Sequence, residues 1–496
     1  MKLTGRLAAA PDDFIRQEFL EPQFRHEVVH LLRWYVLIEK ALLGEYRRLG
    51  VLSDAQAGRL AAALDGLTPD QLTAGAAGAL SDIALAMEVE VGKALPEPVP
   101  AWHVDRSRND LQACAQLLHG REQVSDIAVL AGQLAEVALE RASHDVTSPM
   151  PGYTHLQAAQ VVTPGFYLSA VAEHALRFSS RLLGTYDRIN LSPLGAGPMA
   201  GQELAWDRNL LARAIGCQGP VPHALVAVAS RDWLLDVAAD IASAGTGFSR
   251  FLTDLMAWGS SAYGLVELPD ELAGISAAMP QKKNYPLLER LRGRTGHLTA
   301  FYVDFASCQR NTPYSNMVEV SKEAGVHAST MFAATRSVLA GFTLVVEKLR
   351  WRTDRMRAAA EEDHFGGFSL ANELTLRAGV PWRTAQVVAG RYVSAVLAGG
   401  NGHAGHGDPA ALVAAALEAG HVLDDPGSYL TNSLDVDAQL RAKLSSGSTS
   451  PSSVAALLAE QRERLGVLRE QWDERRAAVR DAIAATDASL LPGGAA

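Results

Sequence analysis

Gly274-Ile-Ser-Ala-Ala-Met-Pro-Gln-Lys-Lys-Asn284, continuing through Tyr285-Pro286 to Glu289, is the stretch from which the rest of the chain can be read. Gly274, Pro280 and Pro286 punctuate it, which predicts an irregular segment between helical runs. The polar residues Ser276, Gln281, Lys282, Lys283 and Asn284 gather here directly after a long apolar-periodic stretch. Loops placed by a rigid scaffold are where binding and catalytic groups concentrate.

The scaffold on either side reads as helix. Before the loop, Leu234, Val237, Ile241, Ala244, Phe248, Phe251, Leu255 and Trp258 alternate spacings of three and four, an a/d seam. After it, Met331, Ala334, Val338, Phe342, Val345 and Leu349 repeat the pattern. Gly245 and Gly247 sit inside the first seam, each costing roughly 1 kcal/mol of helix propensity, and so predict close approach of a neighbouring helix. Helices of about 25–30 residues are about 40 Å long, and several such stripes in one chain predict bundling with further subunits. Further helical stretches are expected at Phe24 to Leu43, Asp54 to Leu64, from Asn109 or Asp110 as N-cap to Ser143, and from Thr163 to Tyr186.

Composition agrees. The 496 residues are 48% hydrophobic and 20% charged, as in a globular protein, and length points to about three domains. Aromatics are only 6%, which favours small-residue helix packing over a β-sandwich. A net charge of −10 argues against nonspecific nucleic-acid binding, so an anionic substrate would need a local basic pocket. Cys114, Cys217 and Cys308 share no metal-ligand spacing and read as reduced thiols. An apolar signal core and an uninterrupted apolar run of about 18 residues are both lacking, so a cytoplasmic, non-membrane protein is expected. His403 and His406, in the glycine-rich insertion 399–408, are poorly preorganised for a metal. Ser445-Ser-Gly-Ser-Thr-Ser-Pro-Ser-Ser453 reads as a cap before a terminal helix.

Four polar loops punctuate the helices: His103-Val-Asp-Arg-Ser-Arg-Asn-Asp110, Gly152-Tyr-Thr-His-Leu-Gln157, Leu194-Gly-Ala-Gly197 and the opening stretch. Singly, each has a plain reading: Ser107, Arg108 and Asn109 as a helix cap, Thr154 and His155 as a capping pair, Lys282 and Lys283 as solvated charges. Together, Ser-Arg-Asn-Asp, Gly-Tyr-Thr-His-Leu-Gln and Met-Pro-Gln-Lys-Lys-Asn, in this order, resemble the fumarase/aspartase superfamily and within it the argininosuccinate lyases. Gly5-Arg6, Asp82-Ile83, Asp207-Arg208, Arg231-Asp232, Glu267-Leu-Pro-Asp270, Gly379-Val-Pro381 and Gly447-Ser-Thr-Ser-Pro451 extend the resemblance over nearly the whole chain.

The resemblance implies an all-α subunit of three domains, 1–106, 107–353 with its loop 270–289, and 354–496. It implies a homotetramer built on the long central helices, with each active site shared between subunits. The implied reaction is β-elimination of fumarate from a succinyl adduct, with no metal or organic cofactor. Ser276, His155, Glu289 and Lys282 align with catalytic positions, Ser276 as the proton acceptor and Glu289 as the carboxylate that holds the histidine. Ser107, Arg108, Asn109, Thr154, Gln157, Arg231 and Asn284 align with substrate-binding positions.

The chain also departs from the pattern. The loop's usual Gly-Ser-Ser-x-Met is Ile275-Ser-Ala-Ala-Met279, and Asn-Pro-Asp is Asn284-Tyr285-Pro286. A serine expected near Leu20-Glu-Pro-Gln-Phe24 is missing, and a histidine after Asp-Ile is Ala84. The segment that grips the amino-acid end of argininosuccinate reads Pro313-Tyr-Ser-Asn-Met-Val-Glu-Val-Ser-Lys322. The succinyl half is kept and the leaving-group half rewritten, which predicts a fumarate-releasing lyase acting on a different N-succinyl amine. Argininosuccinate lyase itself, a cycloisomerase and a non-catalytic scaffold of the same fold are the alternatives.

Overall fold

The computed structural model describes residues 10–75, 82–362, 365–399 and 407–491. Gly5-Arg6, His403 and His406 lie outside the described residues. The fold is all-α, and among the described residues its strands form only short two-stranded pairs.

Seven helices organise it: α1 (Glu21–Arg48), α2 (Arg108–His144), α3 (Pro164–Ile189), α4 (Asp232–Trp258), α5 (Pro286–Gln309), α6 (Ala328–Lys348) and α7 (Pro451–Ser489). Local chemistry fixes their starts. Ser107 Oγ accepts from Asn109 N at 3.1 Å, so Ser107, rather than Asn109 or Asp110, caps α2. Asp110 then lies in its first turn, with Arg141 and His144 in its last, complementing the helix dipole. Thr163 caps α3 with Pro164 at its first position, where a missing N–H costs nothing.

Both expected seams face inward. Leu234, Val237, Ile241, Ala244, Phe248, Leu255 and Trp258 are buried, whereas Phe251 is half-buried and Leu252 takes its place. A straight helix advances 3.6 residues per turn, so a 3.5-residue stripe drifts off the contact line. The two glycines do mark close approaches. A Cβ on Gly245 would lie 3.0 Å from Leu298 Cδ1 of α5, and one on Gly247 would collide with the His174 ring of α3.

Pairwise contacts orient the bundle. Tyr167 meets Asp254 and Thr185 meets Asp240, so α3 runs antiparallel to α4. Leu298 packs at Gly245 and Tyr285 at Gly259, so α5 returns antiparallel to α4. Trp233 packs at Gly120, Arg336 bonds Gln123, and Arg141 reaches Leu349 O at 2.8 Å, so α2, α4 and α6 run in the same sense. One end of the bundle therefore carries the C-termini of α2, α4 and α6 and the N-terminus of α5. The other carries the N-termini of α2, α4 and α6.

Buried side chains of α2 to α6 form the largest apolar cluster, joined by Val454, Leu458, Leu465 and Trp472 of α7. A second cluster unites α1 with the first turns of α2, and Leu370 to Leu434 form a third. The 39-residue α7 spans about 60 Å. Gln461 donates to Ser169 O (3.0 Å), Trp472 Nε1 to Ser179 Oγ (3.1 Å) and Thr486 Oγ1 to Ala214 O (2.7 Å), and Asp487 pairs with Lys40 at 2.8 Å.

Candidate active site

The stretch from Gly274 to Asn284 is a clip rather than an open loop. β3 (Gly274–Ile275) and β4 (Lys283–Asn284) pair antiparallel, with Gly274 opposite Asn284 and Ile275 opposite Lys283. A Cβ on Gly274 would lie 2.9 Å from Pro286 Cγ, so the helix-opening proline leaves room only for a glycine there. Lys283 is committed to the base of the clip, bonding Asp270 at 2.8 Å and Glu267 at 3.3 Å, and these carboxylates raise its pKa.

Lys282 is different: it is exposed and has no ion-pair partner among the described residues. Ser276 Oγ accepts from Met279 N at 3.1 Å, which orients the hydroxyl while leaving its proton to donate. Ile275 is 93% exposed, so this β-branched residue touches almost nothing in its own chain. Glu289 lies exposed in the first turn of α5, where the helix dipole favours a negative charge.

Gly152-Tyr-Thr-His-Leu-Gln157, read as a loop, is the tip of a hairpin. β1 (Met150–Thr154) pairs antiparallel with β2 (Gln157–Val162), closing on Thr154 opposite Gln157. His155 and Leu156 form the two-residue turn with φ of 55° and 60°. Such turns favour Asn-Gly, because left-handed backbone crowds a Cβ at about 1–2 kcal/mol per residue. Strain of this kind, held in an exposed tip, is characteristic of functional loops. Thr154, His155 and Gln157 are all exposed.

Ser107, Arg108 and Asn109 open α2. Arg108 reaches Asp82 at 2.8 Å and Asn109 Nδ2 donates to Pro198 O at 3.0 Å. Asp110, to which sequence reasoning gave only a capping role, is buried and accepts from Gly195 N and Gly197 N, both at 3.1 Å. It thereby ties the Ser-Arg-Asn-Asp segment to the Leu194-Gly-Ala-Gly197 loop. Burial pushes its carboxyl up to about 7 against the pull of these donors.

Arg231 stands apart from the exposed set. It is 3% exposed, and its guanidinium donates to Gln116 Oε1 (2.8 Å), Val228 O (3.1 Å) and Ser230 O (2.8 Å). Burial without a carboxylate partner lowers its pKa to about 10. In this chain it positions the start of α4 through Gln116, whose amide also donates to Ser321 O at 2.7 Å. Nothing in the sequence signals that link, because Gln116 belongs to none of the polar loops.

Within one chain the candidate residues fall into two groups. The clip and Glu289 sit at the α5 N-terminus, the same end as the hairpin, whose Tyr153 ring lies 5.7 Å from that of Tyr263. Ser107 to Asn109 and Arg231 sit at the opposite end, a separation on the order of 50 Å for the 37 residues of α2.

Beside the second group, Lys322 of the rewritten segment forms an ion pair with the buried Glu27 of α1. Tyr314 is exposed and the Oδ1 of Asn316 is buried without a hydrogen-bond partner among the described residues.

A protein family described as Lyase matches residues 72–298. The argininosuccinate lyase of Hyphomonas neptunium is 31% identical over 390 residues, covering 78% of this chain and 82% of that protein. An EDDS lyase solved in complex with formate superposes with a TM-score of 0.87 at 23% identity, over 98% of this chain and 96% of that one. A 3-carboxy-cis,cis-muconate lactonizing enzyme from Pseudomonas putida superposes with a TM-score of 0.71 at 18% identity, over 91% and 100%.

Proposed function

This chain belongs to the fumarase/aspartase superfamily as an argininosuccinate lyase-like, fumarate-releasing carbon–nitrogen lyase, and from that premise we propose that it cleaves an N-succinyl amine other than argininosuccinate. The substrate is X–CH(COO⁻)–CH₂–COO⁻. A weakly acidic C–H next to a carboxylate loses its proton, a dianionic aci-carboxylate forms, and the C–N bond breaks to give fumarate and the amine.

Ser276 takes the proton. A free serine is too poor a base, so closure of the clip, exclusion of water and the nearby cation must favour its alkoxide. Lys282 and Asn284 face the developing charge, where preorganised donors contribute most. Glu289 holds His155, which returns a proton to the leaving amine directly or through water. Ser107, Arg108, Asn109, Thr154 and Gln157 grip the succinyl carboxylates, while the buried Arg231, its guanidinium bonded to Gln116, Val228 and Ser230, holds the start of α4 in place instead of touching substrate.

The two-ended arrangement supports a homotetramer in which one subunit's clip meets other subunits' hairpin and α2 N-terminus. Gly293 and Gly296, inside α5, have nothing within 4 Å of a built Cβ. Two such glycines three residues apart lie on one face of α5, and a paired small-residue face of this kind fits close contact with another copy.

The observation that carries the choice of substrate is Lys322. It is the sole lysine or arginine of the rewritten segment, and the buried Glu27 already neutralises it. A leaving group bearing an amino-acid carboxylate would have to break that pair. The second reading, argininosuccinate lyase itself, is favoured by the 31% identity to the Hyphomonas enzyme.

Fumarate absorbance decides. The purified protein is given argininosuccinate and a panel of N-substituted aspartates, alongside the Ser276→Ala variant. Release from an N-substituted aspartate, abolished in the variant, is expected. Efficient turnover of argininosuccinate overturns the substrate reading, and an activity indifferent to Ser276→Ala overturns the mechanism. Light scattering tests the assembly, and a monomer would contradict shared sites.

A further inference from the structure

Away from these residues, α1, α2, α3 and α7 line an open-mouthed cavity of about 420 Å³. That is within the range of small-molecule sites. Its walls are apolar, from Trp34 and Leu37 of α1, Leu118 of α2, Tyr186 of α3 and Ile483 of α7.

Two polar atoms in this wall lack a hydrogen-bond partner among the described residues: Trp34 Nε1 and Ser125 Oγ. Their residues are 5% and 6% exposed, so bulk water does not satisfy them.

The rim is cationic. Arg476 and Arg480 stand one turn apart on α7, and four guanidinium groups line the cavity against the carboxylates of Glu122 and Asp126. Arg33 pairs with Glu122 and lies 4.4 Å over the Trp34 ring, and burial lowers its pKa. Arg121 spends its donors on neutral acceptors, Asn190 Oδ1 and Gly216 O at 2.6 Å and Ile215 O at 3.0 Å. Arg480 pairs with its neighbour Asp481 at 3.7 Å, whereas among the described residues no carboxylate pairs with Arg121 or Arg476.

We propose that this cavity is a second ligand site, distinct from the elimination site, for a small amphipathic carboxylate. The apolar body lies against Trp34, Leu118 and Ile483, and the carboxylate meets Arg476 and Arg480. A polar substituent on the body accepts from Trp34 Nε1 or bonds Ser125 Oγ. The net positive rim selects against neutral and cationic ligands of the same shape, because a guanidinium pair favours a planar carboxylate by geometry as well as charge. The site needs no group from the catalytic set, so its fate is independent of the substrate assignment above.

The probes are 4-phenylbutyrate and its uncharged amide, titrated calorimetrically into the full-length protein. We expect one carboxylate site per chain, binding of the amide weaker by about tenfold or more, and a similar loss for the carboxylate in Arg476→Gln/Arg480→Gln. Both arginines are exposed, so the variant should keep its circular dichroism and its fumarate release. No saturable carboxylate binding up to about 10 mM, equal binding of the two probes, or affinity unchanged in the variant would each overturn the proposal. So would displacement of the probe by fumarate, which would place it in the elimination site.

Discussion

Replacing Gly247 with alanine tests whether the bundle is built on the approach of α3 to α4. The new Cβ would overlap the His174 ring, which cannot easily retreat. Its Nε2 donates to Ala244 O at 3.0 Å and its face meets Phe248 with centroids 4.7 Å apart. Overpacking of this kind costs about 1–3 kcal/mol. Displacing the ring forfeits a hydrogen bond of about 1 kcal/mol. Against this, alanine gains about 1 kcal/mol of helix propensity over glycine. Gly247→Ala should therefore destabilise by about 1–3 kcal/mol. Gly466, in α7, provides the opposite case: a built Cβ has nothing within 4 Å, so Gly466→Ala should stabilise by about 1 kcal/mol. Urea unfolding followed by circular dichroism reads both. A Gly247→Ala protein as stable as the parent would refute the reasoning, and removing the ring in a His174→Ala background should recover most of the steric part.

Three further outcomes are expected. Leu156→Gly removes a left-handed backbone penalty from a residue that is 77% exposed, so it should raise the urea midpoint by about 1 kcal/mol equivalent while slowing fumarate release. Arg106 and Glu39 form a buried pair with bonds of 2.5 and 2.7 Å, and Arg106→Met leaves the carboxylate unpaired, costing about 3–5 kcal/mol that Arg106→Met/Glu39→Leu should largely recover. Burial, helped by Arg106, pushes the His103 ring down to about 4, and burial does the same to His26 and His119. These rings bind fewer protons folded than unfolded between about pH 4 and 6.5, so stability should fall as pH drops through that window. His103→Gln should flatten the slope, and a urea midpoint independent of pH over this range would contradict the assignment.

The helices were legible in the sequence because their apolar stripes serve the core of their own bundle. Leu234 to Trp258 could be placed from spacing alone, with an error only where Phe251 yields to Leu252. The hairpin at His155 was not legible, because His-Leu carries none of the glycine or asparagine that announces a two-residue turn. The clip at Gly274 escaped for a related reason: two-residue strands are too short to show alternation. Which chemistry-bearing loops share an end of the bundle was equally hidden, since that depends on the running sense of α2 against α5. The anchoring of the Leu194-Gly-Ala-Gly197 loop by Asp110 and the coupling of Arg231 to Ser321 through Gln116 are long-range and leave no local pattern.

The path of α7 sets the order in which the molecule can be completed during synthesis. Trp472 is made 293 residues after Ser179, its hydrogen-bond partner, and Asp487 follows Lys40 by 447. At about 5–20 residues per second, the groove between α2 and α3 stays unroofed for roughly 15–60 s after its own walls have been made. Throughout that interval Tyr186, whose ring lies 5.4 Å from that of Trp472 in the finished fold, would lack this partner on every nascent chain. The final helix thus works as a keystone, laid only when the arch beneath it has been standing for some time.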